Sequence, residues 1–156
     1  MEEIAVLLHN IRSAHNVGSI FRTADAAGVS KIFLSGYTPT PKDKFGRMQK
    51  DIAKTALGAE QFIPWEYAKT PNALLKQLKK DGWYIVGVEQ DSRSKNYSQI
   101  RADKRTVCMF GNEVRGLSKS LRDACDVLVE IPMHGKKESL NVSVTASIIL
   151  FSAIST

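Results

Sequence analysis

Five short segments of this chain are largely apolar and continuous rather than alternating: Ile4 to Leu8, Lys31 to Leu34, Trp83 to Val88, Thr106 to Phe110 and Val127 to Ile131. A strand with one wet face alternates polar and apolar residues, whereas an unbroken apolar run suits a strand covered on both faces. Between these runs lie segments with helical spacing. Val17, Ile20, Phe21, Ala24 and Ala27 fall on one helix face ahead of Gly28, a natural stop. Pro71 to Lys80 has proline in its first turn and Gly82 after its end. Ser118 to Ala124 is a shorter helix, and Leu140 to Ile154 is long enough to cover one face of a sheet. Strands alternating with helices imply an α/β fold, a mostly parallel sheet with helices on both faces.

The remaining segments are less regular. Gln61 to Pro64 reads as a brief strand, Gly36 to Lys50 as a long loop, and Glu89 to Arg105 as mostly loop. No repeat, low-complexity tract or linker divides the 156 residues, so residues 1–156 are expected to form a single domain. The formal net charge of +6 favours an anionic partner such as nucleic acid. No apolar run approaches the roughly 18 residues of a membrane span, and the acidic start Met1-Glu2-Glu3 is unlike a signal peptide. Cys108 and Cys125 lack zinc-type spacing and suit small buried hydrophobes in a reducing compartment. His9, His15 and His134 lack metal-ligand spacing. A cytoplasmic protein without a bound metal or membrane partner is expected.

Three constellations carry candidate chemistry. The first is Asn10-x-Arg12-x-x-x-Asn16-x-Gly18-x-x-x-Arg22-Thr23, running from the first strand into a helix. Ligands of open α/β sheets sit beyond the carboxyl ends of strands. Asn16 suits an N-cap, and Arg22 can clamp a phosphate. A cap followed by a solvated arginine accounts for the pattern equally well. The second is Gly111-Asn112-Glu113-Val114-Arg115-Gly116-Leu117-Ser118, directly after a strand. Its spacing imitates a phosphate-binding loop, but Leu117 stands where the lysine belongs, which disfavours an NTPase. An ordinary strand-to-helix turn capped by Ser118 is the alternative. The third runs from Ile131 to Ser143, where Ser139 or Asn141 can cap the last helix or orient a substrate.

Together these segments resemble the three motifs of the SpoU/TrmH branch of the SPOUT methyltransferases. Asn10 to Ala24 resembles N-x-R-x-x-x-N-x-G-x-x-x-R-T-A, Gly111 to Ser118 resembles G-N-E-x-x-G-L-S, and Ile131 to Ser143 resembles I-P-M-x-G-x-x-x-S-L-N-V-S. Lys54 to Glu60 matches a further family segment, K-T-A-L-G-A-E. Order and approximate spacing agree across nearly the whole chain.

The resemblance implies a C-terminal trefoil knot, a homodimer with its active site near the subunit interface, and S-adenosylmethionine held in a bent shape. By position the cofactor cradle includes Val88, Glu89, Gly111, Asn112, Ile131, Met133, Ser139 and Leu140. Arg22 falls on the family's catalytic arginine, and Asn16, Glu113, Ser139 and Asn141 on its other functional positions. The implied reaction is methyl transfer to a ribose 2′-hydroxyl of RNA. Many members of the family carry an added RNA-binding segment; against them this chain is expected to be a near-minimal catalytic domain with no separate RNA-binding extension, which favours tRNA over rRNA by analogy. A non-catalytic RNA-binding protein is the reading from another class. Arg12 and Arg22, with Lys42, Lys44, Arg47 and Lys50 of the long loop, are the expected RNA contacts. That loop is equally compatible with a disordered, solvated turn.

Overall fold

A computed structural model describes residues 3–154. In chain order the elements are β1 (Ile4–His9), α1 (Ala14–Ala27), β2 (Lys31–Ser35), α2 (Lys50–Ala56), β3 (Trp65–Ala68), α3 (Pro71–Lys80), β4 (Tyr84–Val88), β5 (Lys95–Asn96), β6 (Thr106–Phe110), α4 (Lys119–Ala124), β7 (Val127–Glu130) and α5 (Val142–Ile154). Short 3₁₀ turns cover 59–61 and 97–99.

All pairings in the seven-stranded sheet are parallel, in the order β3-β2-β1-β6-β4-β7-β5. Pleating sends successive side chains to opposite faces. Val6, Leu8, Cys108 and Phe110 therefore join one core with Ile20 and Phe21 of α1, Ile52 of α2 and Ile149 of α5. Ala5, Leu7, Val107 and Met109 join the other core with Leu75 and Leu78 of α3 and Leu121 of α4. The two-sided burial required by unbroken apolar strands is thus met by helices on both faces. Cys108 is buried and Cys125 half-buried, and burial pushes both thiols up to about 12.

Three local expectations are corrected. Gln61 to Pro64 is not a strand: Gln61 ends a 3₁₀ turn, and the strand is Trp65–Ala68, hydrogen-bonded along the edge of β2. Glu66 and Tyr67 of that strand are exposed, so the edge lacks an unbroken apolar run. Asn16 does not cap α1. Ser13 does, accepting the Asn16 N–H at 3.1 Å, and Asn16 lies inside the first turn. The 89–105 segment is mostly loop, as expected, with the two-residue β5 and a 3₁₀ turn within it. Lys50, read as the end of the long loop, opens α2. This helix packs against α1 at Gly18, where a Cβ would collide with the Ile52 carbonyl and the Thr55 hydroxyl. Gly18 therefore serves helix packing.

Candidate active site

The parallel register brings the ends of β4, β6 and β7 together on one edge of the sheet, with Val88 level with Phe110 and Val129. The segments leaving these strands, with the start of α5, enclose a cavity of about 280 Å³. All eight residues expected in the cofactor cradle line it: Val88, Glu89, Gly111, Asn112, Ile131, Met133, Ser139 and Leu140. Among the described residues four glutamates line it, Glu89, Glu113, Glu130 and Glu138, and no lysine, arginine or histidine does. In a chain of net charge +6 this concentration of carboxylates favours a ligand carrying positive charge. Phe110, Ile131, Met133, Leu140 and Val142 supply apolar surface.

Two of the carboxylates organise the backbone. Glu89 accepts the Leu117 N–H at 2.6 Å, which pins the turn after β6 to the end of β4. Gly116 makes this approach possible: its φ is +66°, and a Cβ there would strike the Glu89 carboxylate. Leu117 itself is buried, so no charged side chain from this position can reach a phosphate. Glu113 accepts the Arg12 N–H at 2.9 Å, the Ser13 N–H at 3.0 Å and the Asn16 side-chain amide at 3.3 Å. These donors open α1, where N–H groups lack helical partners and negative charge is favoured. Partial burial pushes the Glu113 carboxyl up, but the bonds from Arg12, from its own N–H, from Ser13 and from Asn16 outweigh it and hold it below its ordinary value.

Asn112 ties the first two sequence motifs together. Its Nδ2 donates to the Asn10 carbonyl at 2.9 Å and the Tyr37 hydroxyl at 2.8 Å, while its Oδ1 accepts the Val114 and Arg115 N–H groups at 2.9 and 2.8 Å. In the third motif the two candidates separate. Asn141 caps α5, its Oδ1 accepting the Ser143 N–H at 2.8 Å. Ser139 lines the cavity. Gln90 reaches across the mouth from β4 and donates to the Glu138 carbonyl at 2.6 Å.

Arg22 does not line this cavity. It is exposed in a second cleft with Lys54, Thr55, Leu57, Ser143, Val144, Ser147 and Phe151. Val142 and Thr145 face the cavity, whereas Ser143, Val144 and Ser147 face the cleft, so α5 separates the two. Arg12 lines a third hollow with Tyr37, Asn112, Val114 and Arg115.

The basic loop is folded. Asp43 Oδ1 accepts the N–H groups of Phe45 and Arg47, and Oδ2 accepts from the Arg47 guanidinium at 2.8 Å. Lys42 and Met48 form an antiparallel bridge beneath this turn. Lys42, Lys44, Arg47 and Lys50 are exposed, and Lys44 and Arg47 lie over the ring of Phe45, itself 70% exposed.

Sequence reasoning missed Gln90, Glu130, Glu138, Val142 and Thr145 of the cavity and Tyr37 beside it. Glu130 borders the third motif and Glu138 lies inside it, so both were within its reach; Tyr37 gave no local signal. Among the described residues no group of three or more His, Cys, Asp or Glu side chains is placed to hold a metal ion, and no helix is long and apolar enough to cross a membrane.

The model of the SpoU rRNA methylase family matches residues 3–151. A 23S rRNA (guanosine-2′-O-)-methyltransferase of Neisseria meningitidis is 35% identical over 147 residues, covering 94% of this chain and 56% of that protein. The chain thus spans just over half the length of the curated relatives it matches. Among solved structures, the A. aeolicus TrmH/SpoU tRNA modifying enzyme superposes with a TM-score of 0.84 at 29% identity, over 97% of this chain and 74% of that one. An S-adenosylmethionine-bound rRNA methyltransferase from Sinorhizobium meliloti superposes with a TM-score of 0.85 at 31% identity, over 96% of this chain and 55% of that one.

Proposed function

The chain belongs to the SpoU rRNA methylase family, and on that basis we propose that it transfers a methyl group from S-adenosylmethionine to a ribose 2′-hydroxyl of RNA. The observation that carries this reading is the cavity with four glutamates and no cationic side chain, in a chain that is otherwise basic. S-adenosylmethionine carries a positive sulfonium and an ammonium group, and its adenine suits the apolar lining. A nucleoside triphosphate, carrying several negative charges, is repelled by the same wall. Val88, Glu89, Gly111, Asn112, Ile131, Met133, Ser139 and Leu140 are the residues that would hold the cofactor, with much of the contact through their backbone.

S-adenosylmethionine, when bound, supplies a methyl carbon activated by positive sulfur. The ribose 2′-oxygen would take that carbon in line as the carbon–sulfur bond breaks, leaving a neutral thioether, and its proton would pass to water. Arginine stays protonated in proteins, so Arg22 acts by holding an RNA phosphate and stabilising the charge that develops on the oxygen. Glu113 and Asn16 fix the start of the helix that carries Arg22. Ser139 orients the nucleotide from the cavity wall, and Asn141 supports the cofactor loop by holding the first turn of α5.

Within one chain α5 separates Arg22 from the cavity, and its apolar surface remains 46% exposed at Val144 and 44% at Phe151, beside Leu57. A second copy packed on this face completes the site, so the active form is a homodimer. The trefoil knot is part of the same proposal; its support is that the loops after β4, β6 and β7 reach one cavity. RNA is gripped by Arg12, Arg22 and the folded basic loop with Lys42, Lys44, Arg47 and Lys50. We assign tRNA as the substrate, following the A. aeolicus enzyme. The alternative is rRNA, the substrate in the name of the Neisseria relative.

Calorimetric titration with S-adenosylmethionine tests the cofactor, with micromolar affinity expected. Methylation assays on separated tRNA and rRNA fractions then assign the substrate. Arg22→Ala should abolish methyl transfer with cofactor affinity unchanged; activity within a few-fold of wild type would overturn the role given to Arg22.

A further inference from the structure

The third hollow, of about 390 Å³, shares Asn112 and Val114 with the acidic cavity. Its charge has the opposite sign: among the described residues Arg12 and Arg115 line it and no acid does. Among the described residues neither guanidinium has an ion-pair or hydrogen-bond partner; only the two backbone N–H groups are engaged. Those backbone bonds are nevertheless what places the arginines. Arg12 is held on the Glu113 carboxylate at 2.9 Å and Arg115 on Asn112 Oδ1 at 2.8 Å.

Tyr37 completes the hollow. Its N–H donates to Asn10 Oδ1 at 3.0 Å, and its hydroxyl accepts from Asn112 Nδ2 at 2.8 Å. The ring is anchored at both ends yet 57% exposed. A fixed, open aromatic ring stacks an unpaired nucleobase with little ordering cost, and guanidinium groups pair with phosphate in a fork geometry. The Asn112 side chain stands between this basic hollow and the acidic one, so adjacent walls sort a cation from a polyanion.

We propose that the Arg12–Tyr37–Arg115 hollow is the subsite for the nucleotide adjoining the methylated one, with its base stacked on Tyr37 and its phosphodiester held by the two arginines. This rests on the reading of the chain as an RNA methyltransferase. Recognition then requires a target that is unstacked beyond the modified residue itself, as in a loop or bulge rather than a regular duplex.

The test is steady-state methylation of the RNA fraction accepted by the full chain, over a series of salt concentrations, alongside calorimetry with S-adenosylmethionine. Arg115→Ala should raise the KM for RNA and lower the slope of log KM against log salt by about one. The side chain is exposed and has no partner to lose, so folding is unaffected. Tyr37→Ala should raise the KM by about 5-fold to 150-fold, and Tyr37→Phe, which keeps the ring, should recover most of that loss. Cofactor affinity should stay at the wild-type value in all three variants. The subsite is overturned by a wild-type KM and salt slope in Arg115→Ala. It is equally overturned if Tyr37→Phe is as damaging as Tyr37→Ala, or if cofactor affinity falls in step with the KM, since the hollow then only braces Asn112. An active wild type with unaffected variants overturns the subsite alone. A wild type that neither binds S-adenosylmethionine nor methylates RNA overturns the functional reading and the subsite together.

Discussion

Replacing Glu113 by glutamine alters one side-chain atom and one charge, yet should be felt through the whole start of α1. The carboxylate accepts three hydrogen bonds, from the Arg12 and Ser13 N–H groups and the Asn16 amide. In Glu113→Gln one oxygen remains an acceptor, and the new NH₂ must face at least one of these donors. Hydrogen bonds to a charged group contribute about 1.5–3 kcal/mol each when sheltered. Glu113 is only half-buried and water can replace part of the loss, so the expected destabilisation is about 1–2 kcal/mol. For a domain of this length that lowers Tm by roughly 2–8 °C. The pH dependence follows from the depressed carboxyl. Its folded pKa lies below the ordinary 4.5, so its stabilisation is complete above that value and lost as pH falls through the folded pKa. Glutamine does not titrate, so the gap between the two proteins should close in acid. Thermal melts followed by circular dichroism at neutral pH and in acid provide the assay. Equal Tm at neutral pH, or a gap that persists unchanged in acid, would refute the role given to this carboxylate.

Two further outcomes are expected. Gly18→Ala forces a methyl group against the Ile52 carbonyl, which as backbone cannot swing away; a loss of about 1–3 kcal/mol should appear as a lower urea midpoint with an unchanged m-value. Asp43→Ala removes a negative charge from the basic loop and should still weaken RNA binding, because the bonds that fold the Phe45 turn are lost; a lower KM for RNA in this variant would show that charge alone matters.

The central strands were legible because burial on both faces leaves an unbroken apolar run, as in Thr106–Phe110. The edge strand Trp65–Ala68 was not, since Glu66 and Tyr67 meet solvent and the pattern fades. Helix α2 is only seven residues long and is secured by Gly18 of a different helix, a contact no local window contains. The eight positions expected in the cradle came from the resemblance to the SpoU/TrmH motifs, and the parallel sheet brings them to one edge because its strand ends fall together there. Ser13 is the cap because α1 begins at Ala14, which places the Asn16 N–H over the Ser13 hydroxyl, while the Asn16 side-chain amide donates to Glu113, 97 residues away. Tyr37 and Arg115 are likewise brought together through Asn112, and neither neighbourhood signals the other in the sequence.

The four bonds of Asn112 also bear on how the chain acquires its site in time. Two of them close spans of 102 and 75 residues. Loop closure of that length loses entropy before any contact repays it, and parallel pairing such as β1 with β6 adds further non-local demands. Folding is therefore expected on the slow side for a domain of this size, with the reaction floor among the last features to settle. A nascent chain can build α1 and pair β1 with β2 early, but the wall shared by the two hollows cannot exist until β6, the strand that leads into Asn112, has inserted between β1 and β4. Partial chains should accordingly offer neither ligand an intermediate site.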